Sequence, residues 1–370
     1  MNKELHIGIV GAGGFAAFAA QAFLQVPGVK IMAVTDINQV AAEIFAKKYG
    51  AELYTALEDF LLSDKIDLVY IGTPPFLHFE QSKKALLAGK HVICEKPAAL
   101  KTVEAEELQA LAASRKLLYV VNLMQRYNPL YQIVNIIISE KIMGEFLHGF
   151  FENYASDQNL DPNHWFWEPS KSGGIFIEHG VHFFDMFSGW LGEGEVINAV
   201  ALHRTSDQKN ITDRVQATVL YKHGIVNFYH GFDQPIILDR QEMRLEFERG
   251  EITLYEWVPV KIKLHGLLKT SQVNRLKELM TDLSVTESIN NPDKKNVKGR
   301  FTDIAFDEHI TIEFGDAKLK QHRYQELLVS MLSDQWAWIK DQNHQRVIDD
   351  NNAVTSLRIA EEATAVAEQY

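Results

Sequence analysis

A glycine-rich turn near the start of the chain has the residue types that bind a nucleotide phosphate. The segment Gly11-Ala12-Gly13-Gly14-Phe15-Ala16 fits the pattern G-x-G-x-x-A, between an apolar strand-like run and a helical one. A side chain at Gly13 would hold a pyrophosphate away from the backbone amides, and a helix N-terminus supplies partial positive charge. The segment therefore predicts dinucleotide binding, with an ordinary structural turn as the alternative.

An acidic residue follows the next apolar strand. Asp36 lies 20 residues beyond Ala16, the spacing at which a carboxylate bonds a ribose diol. Because the carboxylate would repel a 2′-phosphate, the sequence favours NAD over NADP. The alternative role for Asp36 is to cap the helix after it.

A second group of candidate residues is spaced at helical intervals. Glu178, His182 and Asp185 stand at i, i+4 and i+7, which places them on one face of a predicted helix. A histidine whose pKa lies near neutrality suits proton transfer from a hydroxyl, and Glu178 would orient it or hold a second hydroxyl. One alternative is an open metal site, and another is a buried, hydrogen-bonded histidine among phenylalanines. We expect no metal and a structural role for Asp185.

A lysine ends one of the predicted strands. Cys94-Glu95-Lys96-Pro97 closes a strand whose carboxyl end should face the cofactor crevice. Lys96 at that edge would bond hydroxyls, lower the pKa of an alcohol or polarise a carbonyl. The alternative is a surface lysine paired with Glu95.

The elements that must position these residues alternate in the first third of the chain. Short apolar runs separated by helical segments predict a parallel sheet wound on both sides, a Rossmann domain over residues 1–125. The predicted strands cover residues 5–10, 29–35, 68–71, 91–94 and 117–122.

From residue 126 onward the pattern changes to longer alternating runs. Residues 126–370 are predicted to form an α+β domain on a large, mostly antiparallel sheet, beginning with strands near 146–154, 196–202, 215–221, 225–232 and 244–248. A polar stretch at about 268–300 predicts a surface excursion. Two amphipathic runs, 324–340 and 353–369, predict closing helices.

Composition excludes several classes of protein. The 370 residues carry a net charge of −12, so nucleic acid and anionic membranes are poor partners. No apolar run approaches the roughly 20 residues that span a bilayer. The single cysteine cannot form an internal disulfide, and the glycine turn is unlike a signal peptide, so we expect a cytoplasmic protein.

Taken together, five short motifs resemble one known family, the Gfo/Idh/MocA oxidoreductases. They occur in the family's order and spacing, and the closing helices from Tyr324 also fit, so the resemblance covers essentially the whole chain. The motifs are Gly11-x-Gly13-x-x-Ala16, Thr73-Pro74-Pro75-x-x-His78, Glu95-Lys96-Pro97, Arg126-Tyr127-Asn128-Pro129 and residues 173–185 from Gly173-Gly174 to Asp185.

The resemblance implies a Rossmann domain followed by an α/β domain for substrate binding and oligomerisation, as a homodimer or homotetramer through its sheet. It implies catalytic roles for Lys96, which contacts substrate and cofactor, and for His182, which exchanges the substrate proton. Glu178 stands where the family usually has aspartate, so the reach of that carboxylate differs. Expected cofactor contacts are Gly11, Gly13, Gly14, Phe15, Ala16, Asp36, Thr73, Pro74, His78, Glu95, Lys96 and Arg126.

The aromatic pair Trp165 and Trp167 suits the wall of a sugar-sized pocket, together with Lys96, Glu178 and His182, or else packs in the core. The expected activity is hydride transfer between NAD and a secondary alcohol or ketone of a sugar, cyclitol or sugar derivative. The alternatives are a glycoside-cleaving enzyme with an internal redox cycle and a non-enzymatic NAD-binding regulator.

Overall fold

The computed structural model describes residues 4–206, 209–280, 285–290, 295–299, 302–315 and 319–369. Contacts divide the chain into two compact units. The first combines Met1–Tyr127, Asn163–Asp185 and Tyr324–Ala365, and the second combines Asn128–Pro162, Met186–Arg323 and Val366–Tyr370. The predicted division at residue 126 differs from this grouping, because the contacts place two later segments with the first unit.

The first unit is built on a parallel sheet. Among its described residues six strands pair in the order β3-β2-β1-β4-β5-β6, as expected of a Rossmann fold. Their bounds are β1 Leu5–Val10, β2 Val29–Thr35, β3 Glu52–Tyr54, β4 Leu68–Ile71, β5 His91–Cys94 and β6 Tyr119–Val121. The predicted parallel sheet is confirmed. The edge strand β3 was not predicted, because its three residues are too few to show alternation.

Helices follow the strands of the parallel sheet, as predicted. Those described in the chain are α1 Gly14–Phe23, α2 Gln39–Tyr49, α3 Leu57–Leu62, α4 His78–Leu87, α5 Thr102–Arg115, α6 Pro129–Ser139, α7 Pro169–Ser172, α8 Val181–Leu191, α9 Thr270–Leu279, α10 Lys320–Lys340 and α11 Asp350–Ala367. None of these described helices combines the length and apolar composition that crossing a bilayer requires.

The two closing helices join the first unit through specific contacts. Tyr324 of α10 packs its ring against Phe18, with centroids 5.1 Å apart, and against Phe15 at 5.8 Å. Glu361 of α11 accepts the main-chain amide of Thr102 at 2.7 Å. The residue before α5, Lys101, provides no side-chain cap, so a carboxylate from a distant helix satisfies that N-terminus instead. Sequence spacing carries no signal for such contacts.

The second unit is built on a larger sheet. Nine described strands pair in the order β14-β17-β13-β12-β11-β7-β10-β9-β8, and every neighbouring pair except β7–β10 is antiparallel. This confirms the predicted, mostly antiparallel sheet. The bounds are β7 Phe146–Ser156, β8 Gly194–Ser206, β9 Lys209–Tyr221, β10 Gly224–Gln234, β11 Arg240–Phe247, β12 Gly250–Tyr255, β13 Lys261–Leu268, β14 Val285–Asn290 and β17 Glu308–Gly315, with β15 Asn296–Gly299 and β16 Thr302–Ala305 forming a separate hairpin.

The predicted polar excursion at 268–300 is wrong for its described part. That stretch contains α9, whose Val273 and Leu276 are buried, and β14, which pairs with β17. β14 is an edge strand that pairs with one neighbour only, and its polar composition gave no clear alternation of apolar and polar residues. Residues 281–284, 291–294 and 300 of the predicted excursion lie outside the described residues.

Candidate active site

The glycine turn between β1 and α1 leaves a helix N-terminus without a side chain over it. Gly13 is the N-cap of α1 and makes no side-chain cap hydrogen bond, and a Cβ built on it would meet no described atom within 4 Å. Gly11 has a φ of +92°, and a Cβ there would lie 2.9 Å from the carbonyl of Gly72. The turn therefore fits a pyrophosphate, which would take the free amides of the first helical turn.

Asp36, at the end of β2, lies beside this turn. Its Oδ2 accepts the main-chain amide of Ala12 at 2.6 Å, and its Oδ1 accepts that of Asn38 at 2.7 Å. The cap of α2 is Asn38, whose side chain accepts the amide of Ala41. The capping alternative for Asp36 is therefore wrong, and its carboxylate belongs to the wall of the glycine turn.

His78 ties together the two loops that follow β4 and β5. Its Nδ1 lies 2.7 Å from the carbonyl of Pro97, and its Nε2 lies 2.7 Å from that of Thr73. Burial lowers the pKa of His78, although the two carbonyls act in the opposite direction. The His78 ring is fully buried, and its two hydrogen bonds connect the Thr73-Pro74 loop to the Lys96-Pro97 loop.

Glu95 faces inward at the base of the same loop. It accepts hydrogen bonds from the Tyr70 hydroxyl and from Asn122 Nδ2, the latter at 2.8 Å. Burial raises the pKa of the Glu95 carboxyl. Glu95 therefore anchors the loop from its inner side, and among the described residues its carboxylate forms no ion pair with the Lys96 ammonium, which pairs with Glu178.

Lys96 instead pairs with Glu178, 82 positions later in the chain. The ammonium donates to the Glu178 main-chain carbonyl at 2.7 Å and forms an ion pair with the Glu178 carboxylate. The Lys96 and Glu178 side chains are only 18% and 13% exposed. The interpretation of Lys96 as a surface lysine paired with Glu95 is wrong, and the first unit brings two of the predicted catalytic residues into contact.

The segment that carries Glu178 is wider than an α-helix. Residues Phe176–Gly180 form a π-helical turn directly before α8. The predicted i, i+4, i+7 alignment on one regular helix is therefore wrong between Glu178 and His182. Single π-helical turns inside α-helices recur at functional sites, because they redirect side chains and carbonyls. An inserted residue of this kind leaves no distinct signal in the hydrophobic pattern.

His182, in the first turn of α8, is 6% exposed. Burial, with a further contribution from the charge on Lys96, lowers the pKa of His182 to about 3. The expectation of a pKa near neutrality is therefore wrong, because the side chain is desolvated and a cation lies close to it. The imidazole is neutral at physiological pH, which is the form that accepts a proton.

The depressed pKa predicts that His182 weakens the fold in acid. The unfolded state binds a proton near pH 6.5 and the folded state does so only near pH 3, so stability is lost as pH falls below 6.5. Between pH 6.5 and 5 the loss from this one group is roughly 2 kcal/mol. In urea titrations between pH 6.5 and 5, the unfolding free energy of His182→Gln should fall by that much less than that of the parent. The control His203→Gln, at an exposed position, should show the same dependence of unfolding free energy on pH as the parent. Equal slopes in all three proteins would contradict the prediction.

Asp185 and Arg126 form a buried pair in the first unit. Arg126 donates from Nη2 to Asp185 Oδ1 at 2.7 Å and from Nε to Oδ2 at 2.9 Å, and Asn352 adds a bond at 3.2 Å. Burial raises the pKa of Asp185, opposed by the Arg126 charge. Asp185 thus holds Arg126, as a structural role requires. Among the described residues no three His, Cys, Asp or Glu side chains gather around a metal position.

The aromatic pair lies on a short 3₁₀ turn, Trp165–Trp167. Phe166 is buried, whereas Trp165 and Trp167 are half-buried, and His164 caps the turn by accepting the amide of Phe166 at 3.2 Å. The adjoining helix α7 contacts the Pro75–Leu77 turn. A role for these tryptophans in substrate binding stays a prediction.

Sequence reasoning missed the residues that support the site from a distance. Tyr70 and Asn122 hold Glu95, Asn352 holds Asp185, and Gln81 accepts a hydrogen bond from Thr73 Oγ1 at 2.6 Å. These side chains are ordinary polar residues of strands and helices. Only their tertiary neighbours mark them as part of the site.

Two family models match the chain. One, described as an oxidoreductase family with an NAD-binding Rossmann fold, matches residues 5–123, and the other, the GFO/IDH/MocA C-terminal domain, matches residues 133–252. The chain belongs to the Gfo/Idh/MocA oxidoreductase family. Residues 5–123 are accordingly an NAD(P)-binding Rossmann domain, and the resemblance inferred from the five motifs is confirmed.

Curated proteins and solved structures also resemble this chain. An uncharacterized oxidoreductase of Synechocystis is 29% identical over 202 residues, 54% of this chain and 54% of that protein. Glucose-6-phosphate 3-dehydrogenase of Bacillus subtilis is 28% identical over 184 residues, 49% and 52% of the two chains. The chain thus spans about half the length of these curated relatives. The WlbA dehydrogenase of Bordetella pertussis, crystallised with NADH and UDP-GlcNAcA, shares the fold at a TM-score of 0.79 and 16% identity, over 100% of this chain and 97% of that one.

Proposed function

We propose that the protein is an NAD-dependent dehydrogenase that acts on a secondary alcohol, or the matching ketone, of a sugar, cyclitol or sugar derivative. The observation that carries the proposal is the buried contact between Lys96 and Glu178, with neutral His182 close enough for the lysine charge to lower its pKa. An uncharged imidazole can accept the hydroxyl proton, a cation can stabilise charge on the reacting oxygen, and the carboxylate holds that cation in place.

The cofactor would be held by the glycine turn and by Asp36. The backbone amides at the start of α1 would bond the pyrophosphate, and the Asp36 carboxylate would bond the adenosine ribose. The nicotinamide, when bound, supplies the hydride acceptor for the carbon that carries the reacting hydroxyl. The loops clamped by His78, after β4 and β5, would form the next part of the cofactor wall.

Lys96 would bind the reacting oxygen. Its ammonium has three N–H donors, and among the described residues Glu178 takes two of them, through its carbonyl and its carboxylate. The third donor would bond the substrate oxygen and stabilise negative charge as it develops there. Glu178 would fix the direction of that donor, and its carboxylate also has acceptor capacity for a second hydroxyl.

His182 would take the hydroxyl proton. A neutral imidazole is required for that step, and the lowered pKa keeps His182 neutral over the whole physiological range. As the proton arrives, charge on the substrate oxygen would favour the imidazolium that forms. In the direction of ketone reduction the same ring would return the proton to oxygen.

The proposed substrate class rests on the family and on relatives whose names include sugar phosphates and nucleotide sugars. We also propose a cytoplasmic location and a homodimer or homotetramer through the second unit's sheet. Leu202, Leu220 and Ile225 of β8, β9 and β10 are 37% to 51% exposed, which is apolar surface that a second copy would cover. Light scattering of the purified protein measures the copy number.

Asp36 is expected to set the choice between NAD and NADP. In Asp36→Ala the ribose bond and the repulsion of a 2′-phosphate both disappear, so the ratio of kcat/KM for NAD over NADP should fall about 10- to 100-fold. Asn38→Ala removes the cap of α2 and serves as the control for local stability. An unchanged ratio in Asp36→Ala, with Asn38→Ala as stable as expected, would contradict the role of Asp36.

The proposed activity is tested by NADH formation with a panel of inositols, aldoses, sugar phosphates and sugar acids. We expect turnover with a narrow group of polyhydroxylated compounds. Bound NAD without NADH formation across the panel would overturn the dehydrogenase. Cleavage of a glycoside without net NADH would then establish the internal redox cycle instead.

A further inference from the structure

Two histidines on neighbouring strands of the second unit point their ring nitrogens at each other. His265 of β13 and His309 of β17 have their Nε2 atoms 2.8 Å apart, and their ring centroids are 5.0 Å apart. In the strand register Leu267 faces His309 and His265 faces Thr311, so the two histidines are diagonal neighbours on one face of the sheet.

A carboxylate lies on the far side of the first ring. Glu251 of β12 is directly opposite His265 in the register, and its Oε1 lies 3.8 Å from His265 Nδ1. At that distance the carboxylate makes no hydrogen bond to the ring, but it places negative charge beside Nδ1, while Nε2 faces His309. In the metal-free protein one of the two facing Nε2 atoms carries the hydrogen that bonds the other, and a bound cation would take both lone pairs once that hydrogen has moved to Nδ1.

From this geometry we propose that His265 and His309 form a two-histidine site for a borderline divalent cation such as Zn²⁺, Ni²⁺ or Cu²⁺. Imidazole nitrogens suit these metals, and two of them bound tetrahedrally at 2.0–2.1 Å would stand about 3.3 Å apart. The observed 2.8 Å separation needs to widen by only about half an ångström. Water would complete the coordination, because the His265 side chain is 45% exposed.

The charges around the pair are compatible with a cation. Glu246 of β11 faces Glu251 in the register, which places two carboxylates on the His265 side. Arg244 also reaches Glu251, with Nη1 3.9 Å from Oε2, and offsets part of that negative charge. A bound ion would link β13 to β17 through side chains, and it would stabilise the folded second unit by mass action.

The test uses the full chain without a polyhistidine tag, titrated with ZnCl₂ by calorimetry at pH 7.5 in a non-coordinating buffer. We expect one equivalent to bind, and His265→Gln and His309→Gln to weaken binding at least tenfold each. Glu251→Gln should weaken it less than either histidine variant does, since it removes negative charge beside the site but no ligand. His223→Gln, in the exposed turn between β9 and β10, is the matched control and should bind like the parent.

A second readout counts the ligands. With one equivalent of Cu²⁺, electron paramagnetic resonance should show coupling to two imidazole nitrogens in the parent and to one in each single variant. Thermal unfolding without metal verifies that the variants are folded. The proposal is overturned if the double variant His265→Gln/His309→Gln keeps the parent's stoichiometry and affinity, or if the parent has no such one-equivalent site.

Discussion

Replacing Lys96 by methionine should lower kcat for the proposed dehydrogenase about 100- to 1,000-fold, the usual effect of losing one donor to a developing oxyanion. Methionine keeps much of the length of the side chain, so packing changes little. The same replacement leaves Glu178 as an unpaired carboxylate that is 13% exposed. We therefore also expect a loss of unfolding free energy of up to about 3 kcal/mol.

A double variant separates these two effects. Lys96→Met/Glu178→Gln removes the unpaired charge, so its stability should return toward that of the parent while its turnover stays low. Glu178→Gln alone keeps the ammonium and its bond to the main-chain carbonyl, and it should reduce kcat less than Lys96→Met does. If the double variant recovered turnover together with stability, Lys96 would have only a structural role.

The second large effect is expected from His182→Ala. Loss of a positioned proton acceptor lowers kcat by about 10²- to 10⁴-fold. NAD binding should survive, because the groups proposed to hold the cofactor lie on the glycine turn and after β2, β4 and β5. His179→Ala, three residues earlier in the π-helical turn, is the matched control and should keep most of the activity.

Two further measurements distinguish a proton acceptor from a packing residue. Because the pKa of His182 is about 3, the parent enzyme should show no decline of kcat/KM near pH 6.5 that belongs to this group. Added imidazole should partly restore turnover in His182→Ala, since the deleted ring leaves a cavity of its own shape. A decline near pH 6.5 that vanished in His182→Ala would contradict the assigned pKa. Activity of His182→Ala equal to that of the parent would remove His182 from the chemistry.

Much of the fold could be predicted because its signals are local. Strand alternation, the turn at Gly11-Ala12-Gly13 and the spacing to Asp36 each lie within a few tens of residues, and the parallel sheet followed from them. The prediction failed where an element had no local pattern. Edge strands β3 and β14 are short or polar, and the closing helices joined the first unit through contacts such as Thr102 with Glu361.

In the candidate site, too, the features with local signals could be predicted and the long-range contacts could not. The sequence by itself determined the family, the glycine turn, and the candidacy of Lys96 and His182, because motif order and residue chemistry are written along the chain. The tertiary structure alone decided that Lys96 pairs with Glu178 and that His182 is held neutral. The reason is physical: an ion pair and a shifted pKa depend on burial and on charges brought together across 82 positions, and neither quantity exists before the chain folds.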